Sequence, residues 1–108
     1  MTTNALSELT YILSGDVAKE ENQILCAYIA RYKIDEQVGE FILKKGYSKE
    51  DYNKFFTSLN FEYVNKWKRD YLTGTVWFTD GSWLSRSVRD NNETFWEYHK
   101  MPEIPEFL

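Results

Sequence analysis

Several absences narrow this sequence before any motif is sought. Cys26 is the single cysteine, so no disulfide can form within the chain, and a reducing compartment is expected. With His99 as the single histidine, the usual structural zinc cluster cannot be assembled. The five glycines stand apart, and neither GxxxxGK[ST] nor GxGxxG occurs. Phosphates need backbone amides presented by such loops or a substitute for them, so an ordinary nucleotide-using enzyme is not expected, and no cofactor is. No run approaches the roughly 18 consecutive apolar residues of a membrane span. MTTNALSEL lacks a basic segment followed by an apolar one, so no secretory signal is expected and a cytoplasmic location is.

Charge of one sign is also scarce. The net charge is -4, from 13 basic and 17 acidic side chains, spread evenly with no charged tail. General affinity for nucleic acid needs a concentrated positive surface, which this balance disfavours.

Aromatic residues are plentiful: 4 Trp, 8 Tyr and 7 Phe in 108 residues. Three of the tryptophans fall in TVWFTDGSWLSRSVRDNNETFWEYHKMP, residues 75–102.

The first 60 residues read as four short helices. Ala5, Leu6, Leu9, Ile12 and Leu13 share a helical face over Asn4–Leu13, with Gly15 as its stop. Asp16 is a cap candidate for a second helix over about 17–33, striped by Val17, Ile24, Leu25, Tyr28, Ile29 and Tyr32. Asp35 caps a third, with Val38, Phe41 and Ile42 at helical spacing and Lys44, Lys45 and Gly46 at its end. Ser48 and Asp51 form a capping-box pattern for a fourth, with Tyr47 and Tyr52 as its hydrophobic staple and Phe55, Phe56 and Leu59 following.

After Asn60 the character changes. FEYVNKWKRDY shows neither period and reads as a short strand or a loop. YLTGTVWF is rich in β-branched and aromatic residues. Asp80-Gly81 signals a two-residue hairpin turn, Asp90-Asn91-Asn92 a second turn, and ETFWEYHK a third strand. Pro102 and Pro105 end that strand. The expected fold is α+β: about four short helices (residues about 4–60) packed on a three-stranded antiparallel β-meander (about 71–100). An extended tail (101–108) completes one domain.

Centring the turns on Asp80-Gly81 and Asn91-Asn92 sets Phe78 opposite Trp83, Trp77 opposite Leu84, Ser87 opposite Trp96 and Arg86 opposite Glu97. One face then collects Leu72, Val76, Phe78, Trp83, Trp96 and Tyr98. The other collects Trp77, Leu84, Val88 and Phe95. Both are apolar, so one packs on the helices while the other is covered by the terminal segments or left for a partner. Trp77, Trp83, Trp96 and Tyr98 are the candidate anchors, because Trp and Tyr are enriched at interfaces. A slip of one residue in either hairpin exchanges the faces of a strand.

Catalytic groups are thin. His99 has no orienting partner nearby in sequence, and Cys26 reads as buried packing within a helix. Glu20-Glu21 and Glu50-Asp51 are adjacent pairs that do not project together and read as solvated surface. Lys66-Trp67-Lys68-Arg69 is the one basic cluster. It suits the charged rim of a protein interface, through Lys66, Lys68 and Arg69. It also suits phosphate contact with base stacking on neighbouring rings.

From Tyr47 onward, GYSKEDYNKFFTSLNFEY, GTVWFTDGSWLSR and ETFWEYHKMPEIPEFL resemble a pattern in small uncharacterised bacteriophage and prophage proteins. That pattern is a DGTWL-like hairpin, an EWWEY-like strand and a closing P-x-IP, spanning about residues 47–108 here. Phe95-Trp96 stands where the pattern has two tryptophans, and Asp90-Asn91-Asn92 replaces a glycine-containing turn. The resemblance implies a phage context, in which a small protein binds a host protein and blocks it, such as an anti-CRISPR-like inhibitor of a bacterial defence component. It implies no site residue.

Two functions are therefore expected. The first is a non-enzymatic interaction protein that binds a bacterial protein or protein complex, with a homodimer through the same face as a variant. The second is a small nucleic-acid-binding protein using Lys66 to Arg69.

Overall fold

The computed structural model describes residues 2–15, 23–89, 91–102 and 104–108. The elements run β1 (Thr3–Asn4), α1 (Ala5–Leu13), β2 (Ile24–Lys33), β3 (Glu36–Leu43), α2 (Lys49–Ser58), β4 (Glu62–Tyr63), β5 (Asp70–Phe78), β6 (Trp83–Val88) and β7 (Thr94–His99). The class is α+β, but the expected helical half is overturned. Among the described residues there are two helices, and the sheet has five strands in the order β3-β2-β5-β6-β7, not three. A two-stranded ribbon pairs β1 with β4.

Both helices that form carry side-chain caps. Asn4 Oδ1 accepts from Ser7 N–H at 2.9 Å and starts α1. At α2, Ser48 Oγ accepts from Asp51 N–H at 3.1 Å and Asp51 Oδ2 accepts from Ser48 N–H at 3.2 Å, a complete capping box. The staple rings of Tyr47 and Tyr52 meet at 5.7 Å between centroids.

The helices expected over 17–33 and 35–46 do not form in the described residues. Positions 24–33 and 36–43 are strands, and Asp16 with residues 17–22 lies outside the described residues. The apparent helical stripe arises because β2 is apolar on both faces. Ala27 and Ile29 point to the core while Tyr28, Ala30 and Tyr32 point away, so apolar residues recur at 3 and 4 as well as at 2. A turn with positive φ at both Ile34 (52°) and Asp35 (59°) joins β2 to β3, with Lys33 opposite Glu36. A type I′ turn has this geometry, but it normally announces itself with Asn-Gly.

Both meander hairpins carry three-residue loops rather than two-residue turns. Phe78 N–H donates to Ser82 O at 2.9 Å, with Gly81 left-handed at φ 88°. Arg89 N–H donates to Glu93 O at 2.8 Å, with Asn92 at φ 63°. A type I turn closed by a left-handed residue is the usual three-residue solution. Each extra residue slips the register by one, pairing Trp77 with Trp83, Val76 with Leu84, and Arg86 with Trp96. Two slips cancel between β5 and β7 and invert β6 alone. Leu84 joins Leu72, Val76, Phe78, Trp96 and Tyr98 on the core face, and Trp83 joins Trp77 on the other.

One apolar core results. Ala5 and Leu9 of α1, Phe55 of α2, Leu59 and Tyr63 pack on Ala27, Ile29, Leu43, Leu72, Val76, Leu84 and Trp96. Both helices thus lie on the same face of the sheet. Among the described residues, no helix is long and apolar enough to cross a membrane.

Candidate functional site

Because α1, α2 and the ribbon cover one side, the opposite side of the sheet is covered by no described helix or strand, and we call it the open face. Cross-strand register maps it. Cys26, Trp77, Trp83 and His99 form one row across β2, β5, β6 and β7. Ile42, Tyr28, Thr75, Ser85 and Glu97 form the next, and Glu40, Ala30 and Thr73 the one after. Tyr32 pairs with Tyr71 at the far end.

The first row is an aromatic shelf. Trp77 is 41% exposed and lies directly opposite Trp83. The His99 ring stacks on Trp83 at 5.3 Å and 19°. Ser85 Oγ meets His99 Nε2 at 2.9 Å, which fixes the ring. Tyr28 and Ile42 are exposed in the adjacent row. Cys26, expected inside a helix core, is a half-buried strand residue beside Trp77.

A second aromatic group holds the far end. The rings of Tyr32 and Tyr71 stack at 5.4 Å, and Trp67 lies on Tyr71 at 4.6 Å. Burial between these rings pushes the Tyr71 hydroxyl pKa up. Its hydrogen bond to Asp35 at 3.1 Å and that carboxylate's charge push it further. Trp67 reaches this position because its N–H donates to Asn92 O in the β6–β7 loop. Tyr71 and Trp77 are six residues apart on β5, so the two groups stand ~20 Å apart.

The candidate residues divide between the faces. Trp77 and Trp83 come together on the open side. Trp96, 6% exposed, and Tyr98 pack with the core instead. Lys66 is half-buried and pairs with Glu93 at 3.4 Å, while Lys68 and Arg69 are exposed in the turn beside Trp67. Tyr28, Tyr32, Tyr71 and His99 belong to the open face but were not among the expected anchors. Reading β2 as a helix hid the first two, and no local signal separates the two readings there.

Chemically the face can stack and bury flat apolar groups, with hydroxyls at Thr73, Thr75, Ser85 and Ser87 between the rings. The Ser85–His99 contact has the length of a nucleophile–base hydrogen bond, but a reaction needs a pocket that excludes water. Among the described residues, one surface hollow runs along α2 from Lys49 to Ser58, and another, at Val88, Arg89, Asn91 and Phe95, touches the open face through Phe95 opposite Ser87. Among the described residues, no three His, Cys, Asp or Glu side chains are grouped to hold a metal ion. Comparison with known proteins finds no matching family model, and no curated protein or solved structure with significant similarity.

Proposed function

We propose that this chain is a non-enzymatic binding module that docks a bacterial protein or protein complex on the open face of its sheet. The observation that carries the reading is the direct pairing of Trp77 with Trp83 on a face that no described helix or strand covers. Indole rings bury large apolar area at little conformational cost and dominate interface energetics. Here they sit on a strand scaffold that is already ordered, so little is lost in fixing them. The likeness of residues 47–108 to phage proteins favours a partner in the host cell, and a defence component blocked by this face is the form of action we favour.

Capture from a bacterial lysate followed by mass spectrometry tests the reading. The intact chain should retain a defined partner that Trp77→Ala and Trp83→Ala variants lose while keeping their circular dichroism. Equal capture by folded variants defeats it.

The Tyr32–Tyr71 stack, with Trp67 tilted against Tyr71 beside Lys68 and Arg69, favours nucleic acid as a second reading. Against it, Glu40 and Glu97 project from the same face and Asp35 holds Tyr71. Phosphate-driven binding should fall steeply between low and moderate salt, whereas aromatic docking should change little.

A further inference from the structure

Past β7 the chain carries apolar side chains that the fold leaves in water. Ile104, Phe107 and Leu108 are 80%, 86% and 82% exposed. The charged residues between Met101 and Leu108, Glu103 and Glu106, are both acidic. Pro102 and Pro105 restrict the backbone and so reduce the entropy lost on docking. Leu108 N–H donates to Pro105 O at 3.0 Å, closing a turn that presents Phe107. This segment is an acidic, apolar, partly preorganised peptide.

The open face offers complementary chemistry at its far end. Trp67 is 37% exposed, and Lys68 and Arg69 beside it meet no carboxylate among the described residues. Ile34 adds to this corner, since its N–H donates to Arg69 O at 3.0 Å. Ile34 is 83% exposed and sits at φ 52°, a conformation that β-branched residues avoid. An exposed isoleucine held in such a geometry is understandable where its side chain has something to meet.

The segment does not suit the corner of its own chain. It leaves β7 at the Trp77–Trp83 end, where Met101 Sδ lies 3.7 Å from the place a Cβ on Gly81 would take. In the structure its Ile104, Phe107 and Leu108 stay in water rather than turning back to that corner. The corner lies ~20 Å away along β5. A second copy removes the difficulty. Two chains stacked face to face about a two-fold axis that lies in the interface perpendicular to the strands bring the Trp77 end of each over the Trp67 end of the other.

We infer that the open face receives a second copy of this chain, with residues 101–108 of each copy bound at the Trp67, Lys68 and Arg69 corner of its partner. The inference rests on the open face being a docking surface and names one occupant for it. Tryptophan and arginine suit such a contact as anchors, and the acid–base pairing fixes its direction.

Sedimentation velocity on the intact chain, from low to high micromolar concentration, provides the test. The chain should run at twice its monomer mass. Lys68→Glu with Arg69→Glu should weaken association by at least about tenfold, as should Glu103→Lys with Glu106→Lys. The four substitutions together should restore the dimer, an outcome that misfolding cannot imitate. A monomer at every concentration overturns the inference, as does a dimer indifferent to the reversals or a combination that fails to recover. Phe107→Ser with Leu108→Ser separates this inference from the docking reading. A monomeric variant that still captures a bacterial partner through Trp77 supports both. A variant that remains dimeric overturns the docking of residues 101–108 on the partner and leaves the reading of the open face untouched. One that becomes monomeric and captures nothing supports self-association and counts against a separate host partner.

Discussion

Arg86 Nη1 donates to Glu8 Oε1 at 2.8 Å across 78 residues of sequence, and the arginine side chain is 2% exposed. This pair ties α1 to the core side of β6. Arg86 Nη2 also donates to the Tyr63 hydroxyl at 2.9 Å and to Thr94 O at 2.8 Å, and the guanidinium lies 5.1 Å over the Trp96 ring. Tyr63 in turn donates to Glu8. Burial pushes the Tyr63 pKa far up, with the Arg86 charge opposing and Glu8 adding to the rise, so this hydroxyl keeps its proton. The network fixes how the helix sits on the sheet.

Glu8→Ala should therefore cost ~3–5 kcal/mol, because it leaves a buried guanidinium without its counter-charge. The pair Glu8→Leu with Arg86→Met should cost less than the sum of its single changes, since no charge remains stranded. Urea unfolding of the four proteins gives the coupling directly. Strict additivity would mean that the two groups do not interact.

Two backbone positions should respond in opposite directions. Gly74 pairs with Ile29 at φ 155°, and a Cβ there would lie 2.5 Å from Tyr28 O. Gly74→Ala should destabilise by ~2–4 kcal/mol, as a backbone clash in a central strand does. Ile34→Asn should stabilise by ~1 kcal/mol, because asparagine tolerates the left-handed region that isoleucine pays to occupy. The same change should weaken self-association if Ile34 serves the corner. Thermal unfolding and sedimentation on one preparation read both effects.

How much of this was legible follows from where the signals lie. Ser48 and Asp51 mark α2 because a capping box is a local exchange of hydrogen bonds, visible within four residues. Asp80-Gly81 marks a hairpin for the same reason. Its register escaped because two-residue and three-residue loops both accept Gly81 in a left-handed conformation. Ile24 to Leu43 were misassigned because a strand apolar on both faces mimics a helical stripe, and Ile34-Asp35 is not a recognisable turn pair. Arg86 was expected opposite Glu97, on the face with Trp77. Its true partners come from α1, β4 and β7, which no local pattern joins.

Acid should weaken the ion pair between Arg31 and Asp70. Arg31 Nε and Nη2 both reach Asp70 at 3.1 Å, and Val64 N–H donates to the same carboxylate at 2.9 Å. Burial alone would raise the Asp70 pKa. The hydrogen bonds from Arg31 and Val64 and the charges of Arg31 and Lys33 outweigh it and hold the carboxyl below its ordinary 3.8. A depressed carboxyl contributes stability that is fully present above its unfolded pKa and lost as pH falls through the folded value. Wild type should therefore lose stability progressively below about pH 4, and Asp70→Asn should show a shallower decline there. Urea midpoints of the two proteins, compared from pH 6 down to pH 2, check this. Parallel curves would remove Asp70 as the source.

Trp77 and Trp96 distinguish a docking face from an interior. They lie two strands apart on opposite sides of the sheet, one 41% exposed and the other 6%. Trp96 packs with Leu9, Leu84 and Val76 in the core and carries Arg86 over its ring, so Trp96→Ala should cost ~3–5 kcal/mol. Partner capture should then fail only because the protein unfolds. Trp77 has half its ring in water, and its loss leaves no enclosed cavity. Trp77→Ala should shift stability by no more than about 1 kcal/mol. If the open face docks a partner, that same change should weaken binding by tenfold or more, since a truncated indole at the centre of an interface commonly costs about 2 kcal/mol. Stability and binding thus move separately at Trp77 and together at Trp96. A Trp77→Ala protein that binds as well as wild type would leave the aromatic row as surface with no partner to serve.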